Sequence, residues 1–277
     1  MPSNLRHNRR AALVLACAAA GLTATAHTVS AADIAEPAHA FEPFETPQEP
    51  FRNWTLIIGA GATYEPEYEG GEDFEVSPVP VFLFTYSDWL EVDPTGVALR
   101  VFAHEGFSVS GLVGYETGRD EDDADRLEGL GDIDFTATVG GRLAYERGPF
   151  ELYAAAEQTI DGSESLIGTA GLSLTAPVSE RLILGANVEA VVADDNHMEA
   201  YFGVDAIQSA ASGLPEYTAE AGLKRVDLSA SATYFVTEKW LLRGEAGVGF
   251  LTGDAADSPI VEEELQPAAS LFVGYRF

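Results

Sequence analysis

The chain has 277 residues, with 45 acidic side chains against 15 basic ones and a formal net charge of −30. That balance excludes nucleic acid as a partner, because binding to a phosphate backbone is carried by lysine and arginine. No run of eighteen apolar residues follows the N-terminal segment, so a membrane-spanning role has to rest on strands.

In chain order, the first element reads as an export signal. Arg6, Arg9 and Arg10 precede an uncharged stretch from Ala11 to Leu22, too short for a spanning helix, and small residues then offer cleavage after Ala26 or Ala32. Val14-Leu15-Ala16-Cys17 loosely resembles a lipoprotein box and Arg9-Arg10 a twin-arginine signal, but more apolar residues follow Cys17 than precede it. Cys17 is the one cysteine, so the exported chain is expected to have neither disulfide nor thiol chemistry. Three of the 15 basic residues and none of the acidic ones lie in residues 1–32, so removing the signal takes the net charge from −30 to −33.

Residues 33–52 read as a disordered periplasmic leader. Pro37, Pro43, Pro47 and Pro50 alternate with Glu36, Glu42, Glu45 and Glu49 around Phe41, Phe44 and Phe51, a composition that stays extended and solvated. Its phenylalanines also suit a docking peptide seated in a partner's groove. The remainder, 53–277, has no interior linker and suits one large β domain.

From residue 54 a two-residue period recurs. It predicts strands near 54–65, 75–86, 89–92, 96–103, 107–117, 132–147, 150–160, 166–176, 181–193, 222–236, 239–251 and 267–277. Leu182, Leu184, Ala186, Val188, Ala190 and Val192 share one face, with Gly185, Asn187 and Glu189 on the other; Phe135, Ala137, Val139, Leu143 and Tyr145 oppose Thr136, Thr138 and Arg142. In the last strand Leu271, Val273, Tyr275 and Phe277 oppose Ser270, Gly274 and Arg276, with Phe272 as the misfit. Short turns at 87–88, 104–106, 148–149, 177–180 and 237–238 alternate with longer segments at 66–74, 118–131, 161–165, 194–221 and 252–266. That pattern predicts a closed antiparallel transmembrane β-barrel with short periplasmic turns, long outer loops and both termini in the periplasm. The pair 89–92 and 96–103 is the weak point; if it does not span, the barrel has ten strands rather than twelve. Aromatics near strand ends, including Trp54, Tyr64, Tyr86, Trp89 and Trp240, fit interfacial girdles.

Several segments resemble the MipA/OmpV family of outer-membrane proteins. They are Gly59-Ala60-Gly61-Ala62 with Pro66-Glu67-Tyr68-Glu69-Gly70, Tyr201-Phe202-Gly203-Val204, Ser212-Gly213-Leu214-Pro215 with Tyr217 and Gly222, the stretch Gly253 to Val261, and the terminal Tyr275-Arg276-Phe277. The resemblance implies a non-enzymatic scaffold that joins a murein-degrading lytic transglycosylase to a bifunctional penicillin-binding synthase. Some relatives are described as adhesins or immunogenic surface proteins.

Chemistry is sparse. Of the histidines after the signal, His27 remains at the extreme terminus if cleavage follows Ala26, His39 falls in the leader, His104 in a short turn, and only His197 could meet a serine, Ser209 or Ser212; without a Gly-x-Ser-x-Gly elbow it reads as a solvated loop histidine. The acidic runs Asp120 to Asp125 and Glu262 to Glu264 read as solvated loop faces and fit no EF-hand pattern. No catalytic, cofactor-binding or metal residue is expected. Strand parity points Arg142, Glu151, Glu157, Glu189, Asp227, Arg243 and Glu245 into the lumen, where paired side chains would fill a barrel this small; an open path would favour cations. The readings are therefore a scaffold bound to outer-membrane lipid, a surface adhesin acting through loops 118–131 and 194–221, and a small cation-favouring channel.

Overall fold

A computed structural model describes residues 53–160 and 164–277; the signal and the leader lie outside the described residues. Twelve antiparallel strands close on themselves in sequence order. They are β1 (Trp54–Pro66), β2 (Phe74–Tyr86), β3 (Leu90–Asp93), β4 (Gly96–His104), β5 (Phe107–Glu116), β6 (Thr136–Arg147), β7 (Phe150–Thr159), β8 (Leu166–Ser179), β9 (Leu182–Ala193), β10 (Gly222–Phe235), β11 (Trp240–Leu251) and β12 (Leu265–Arg276). The first and last strands make the seam, with Ile57 opposite Arg276 and Tyr64 opposite Ala269, and Phe277 N donates to Leu56 O. Closure pairs the edges that an open sheet would leave to lipid.

Alternation decides which side chains face out. Leu143, Leu152, Leu172, Leu184, Val188, Leu228, Leu271 and Val273 are all exposed on the outer wall, a surface suited to hydrocarbon rather than water. Phe272 turns inward and covers Gly61, its cross-strand partner; a Cβ at Gly61 would lie 2.2 Å from the Phe272 ring. The missing side chain on β1 thus makes room for the residue that breaks the pattern on β12.

The pair β3–β4 closes the barrel, but β3 has only four residues and meets β2 only at Phe84 to Tyr86. Above Phe84 the wall has a notch, one flank of which is the upper half of β2. Ser87 N donates to Asn53 O, so by alternation the even-numbered residues of β2 aim their backbone groups away from β1 and into the notch. Pro78 and Pro80 occupy two of those even positions. Proline has no N–H to offer there, which keeps the edge from recruiting another strand.

Two strand boundaries lie more than two residues from expectation. β6 begins at Thr136 rather than 132, because Ile133 is drawn into a bridge with Arg119. β8 runs on to Ser179 through an irregularity after Pro177. The larger difference is in the long connections, which fold. The connection 194–221 carries α1 (Asp195–Phe202) and α2 (Ala206–Ser212), and 252–264 carries α3 (Gly253–Ala256). Asp194 caps α1 by accepting from His197 N, and Asp205 and Gln208 form a reciprocal capping box on α2. Met198 and Phe202 of α1 pack with Ala193, Ala219, Leu251 and Ala255. A second cluster joins Tyr68, Leu127, Leu130, Val204 and Ile260 from four different connections. The result is a packed cap over one end of the barrel.

Candidate functional site

The site lies where this cap meets the upper lumen, and a β-bulge creates it. Leu223 is opposite Val192 while Arg225 is opposite Val191, leaving Lys224 as the extra residue. Strict alternation would have sent one of Lys224 and Arg225 to lipid; the bulge turns both inward, where each is 2% exposed. The turn between β1 and β2 supplies their counter-charge. Gly70, at φ 103°, reverses the chain, and its N–H donates to Gln266 Oε1, which fixes Glu69 beside it. Glu69 then accepts from Lys224 Nζ at 3.1 Å through Oε2 and from Arg225 Nη1 at 3.0 Å through Oε1. Arg225 Nε reaches Asp227 at 2.9 Å.

His197 enters from α1. Lys224 Nζ lies 3.2 Å from its Nε2, and since an ammonium can only donate, Nε2 is the acceptor and Nδ1 carries the proton. That proton faces Glu116 Oε1 at 3.5 Å, and the ring stacks on Tyr201 at 4.5 Å. Burial works against an ionised Glu69, but Lys224 and Arg225 outweigh it and hold its carboxyl down to about 2. Burial raises the Tyr201 hydroxyl, as do the neighbouring Glu116 and Glu69 charges.

Every lumen residue expected from parity is found inside. In the lower lumen Arg142 meets Glu151 and lies over the Tyr153 ring at 4.6 Å; Arg243 meets Glu245 at 2.8 Å and Thr233 at 3.4 Å. Higher up, Tyr153 donates to Glu189 and Thr138 donates to Glu157 at 3.0 Å. Between these groups and Lys224 is a cavity of about 30 Å³, room for roughly two waters.

His197 corrects the sequence reading. It is 1% exposed rather than solvated. It does not meet Ser209 or Ser212, whose hydroxyls bond Leu214 O and Gln208 O. The acidic runs are partly structural as well. Glu121 accepts from the N–H groups of Gly129 and Gly131, and Glu262 accepts from Tyr68 Oη. Glu69, Glu116, Lys224 and Arg225 were missed. For Lys224 a signal existed, since a lysine on a lipid-facing position of a barrel strand is costly enough to suggest a bulge.

The closed wall, apolar outside and charged inside, defines an outer-membrane β-barrel protein. Residues 58–277 match the family described as MltA-interacting protein MipA, and the chain belongs to that family. It is similar to YiaT of Escherichia coli (strain K12), provisionally named as an outer membrane protein, with 25% identity over 227 residues, 80% of this chain and 91% of that one. Among solved structures it resembles a NanC porin (TM-score 0.42, 8% identity, 79% of this chain and 98% of that one). It also resembles the translocator domain of autotransporter NalP from Neisseria meningitidis (TM-score 0.38, 14% identity, 92% and 100%).

Proposed function

We propose that this protein is a scaffold of the outer membrane that holds a lytic transglycosylase, of the kind its family is described by, next to a bifunctional penicillin-binding synthase. The observation that carries the reading is the occupied lumen. Arg142–Glu151 and Arg243–Glu245 pair along the inner wall of the lower half, and the Glu69–Lys224–Arg225 group with His197 fills the upper half beneath a packed cap. A barrel filled in this way acts through its rims rather than by passing solutes.

The contact surface is the rim that carries residues 53 and 277. The five short turns share that rim, and the folded connections lie at the other end, which is the usual arrangement of periplasmic turns and outer loops. The short turns offer little area, so residues 36–50, rich in proline, glutamate and phenylalanine, are assigned the larger share of the contact. The test is capture on immobilised purified protein at physiological salt. Retention of the transglycosylase or the synthase is expected, with weaker capture after deletion of 36–50 and no change in barrel unfolding. Failure to retain either enzyme ends this reading.

A further inference from the structure

The helix α2 presents its apolar face to solvent and its polar face to the protein. At about 100° per residue, Ala206, Ile207, Ala210 and Ala211 share one arc of about 140°, and all four are exposed, Ile207 at 79%. Gln208, Ser209 and Ser212 occupy the opposite side and are half-buried. Their hydrogen bonds hold that orientation: Gln208 Nε2 donates to Leu130 O at 2.7 Å, Ser209 Oγ to Leu214 O at 2.6 Å and Ser212 Oγ to Gln208 O at 2.7 Å. A surface helix ordinarily turns its apolar stripe to the core and its polar residues to water. Here the polar residues make the attachment, and no residue of α2 is buried.

The helix is also firmly mounted. Val204 and Tyr217 pair below it through two backbone hydrogen bonds of 2.8 and 2.9 Å, the capping box closes its N-terminus, and Gly213 at φ 78° closes its C-terminus. Gly129, at φ 83°, passes so near that a Cβ there would lie 3.0 Å from Ala211 Cβ. The apolar face is thereby flanked by exposed carboxylates, Asp205 and Glu216 on its own connection and Glu128 and Asp132 on the neighbouring one. Among the described residues, the connections 67–73, 117–135, 194–221 and 252–264 contain no lysine, and their two arginines are engaged inward. Arg119, 8% exposed, donates to Tyr201 O, and Arg126, half-buried, donates to Pro259 O. No exposed cation on this end of the barrel offsets the carboxylates around the patch.

We propose that this face of α2 docks a protein segment that presents an aliphatic side chain within a ring of lysines or arginines, with Ile207 as the central contact. The charge around the patch selects that partner. A second copy of this chain would bring the same carboxylates face to face, and a phosphate-bearing membrane surface would be repelled by them. One isoleucine and three alanines bury little area by themselves, so the charged border carries much of the recognition, and the association is transient and sensitive to salt. The surface lies at the opposite end of the barrel from the rim assigned to the murein enzymes. It is independent of the scaffold reading and stands whether or not those enzymes bind.

The test is selection from a random peptide library displayed on phage against the full-length mature protein in lipid nanodiscs, after depletion on nanodiscs without protein. Enriched sequences are expected to combine leucine, isoleucine or valine with several lysines or arginines. They should bind the native protein about tenfold more tightly than Ile207→Ser and about threefold more tightly than Glu216→Gln. Because Ile207 is exposed, I207S should keep the native unfolding midpoint, so lost binding would report the surface and not the fold. Enrichment of acidic or uncharged sequences overturns the proposal, as does a lack of enrichment or equal binding to I207S. A fluorophore attached through Ile207→Cys should escape quenching by spin-labelled acyl chains; quenching would place the face on lipid and overturn the proposal as well.

Discussion

The two halves of the lumen solve the same problem by different means. In the lower half, charges are neutralised locally: Arg142 meets Glu151 across the β6–β7 hairpin, and Arg243 meets Glu245 two residues away on β11. In the upper half, Glu69 reaches Lys224 and Arg225 across more than 150 residues of sequence, and His197 comes down from a helix. The lower pairs form with the strands themselves. The upper group is complete only while the cap is folded, so its stability is linked to that of the connections.

The sharpest way to break this contrast is Arg225→Ala, which leaves Glu69 and Asp227 short of their shared partner. Removing one member of a buried ion group costs about 3–5 kcal/mol, and the loss should appear as a lower temperature for the mobility shift of the barrel on semi-native gels. Phe202→Ala removes a fully buried ring from the cap, at a cost of about 3 kcal/mol or somewhat more. Here the barrel should persist while protease cleaves within 194–221; cleavage no faster than in the native protein would show that the cap does not depend on this packing.

Acid gives a graded version of the same test. Glu69 is held at about 2, below its ordinary 4.5, so the stability it contributes is complete above about pH 4.5 and is lost as pH falls toward 2. Hydrogen exchange in 67–73 and 195–202 should rise across that window, and Glu69→Gln should remove most of the dependence. The smallest effect is expected for Arg142→Ala. It has one carboxylate partner, Glu151, where Arg225 has two, and its side chain is 20% exposed against 2%, so the loss should be smaller, about 1–3 kcal/mol. A larger loss for R142A than for R225A would reverse the proposed division between the halves.

The same division explains what could be read from the residues. Strand alternation requires only period two, and it placed the wall, the seam and the inward set from Arg142 to Glu245. It also anticipated the pairing that fills the lumen. It could not place His197, because a helix lies between the loop sequence and the direction of that side chain. It could not place Lys224 either, since one extra residue in β10 shifts the face on which everything before it falls. Glu69 was invisible for a third reason: its partners are distant in sequence, and only the folded turn at Gly70 brings them together.

The short β3 has a consequence outside the protein. Its four residues reach about 13 Å at roughly 3.3 Å each, half of the ~25 Å apolar band that a barrel of this class presents. Carbonyls of Val76, Pro78, Pro80 and Phe82 point into that gap, so headgroups and water are expected to descend along it and the bilayer to be thinnest on this azimuth. Two copies that met there would share one deformation instead of maintaining two. Cross-linking yields from single cysteines around the girth, highest beside Val76 and Phe82, would reveal this preference, and uniform yields would refute it.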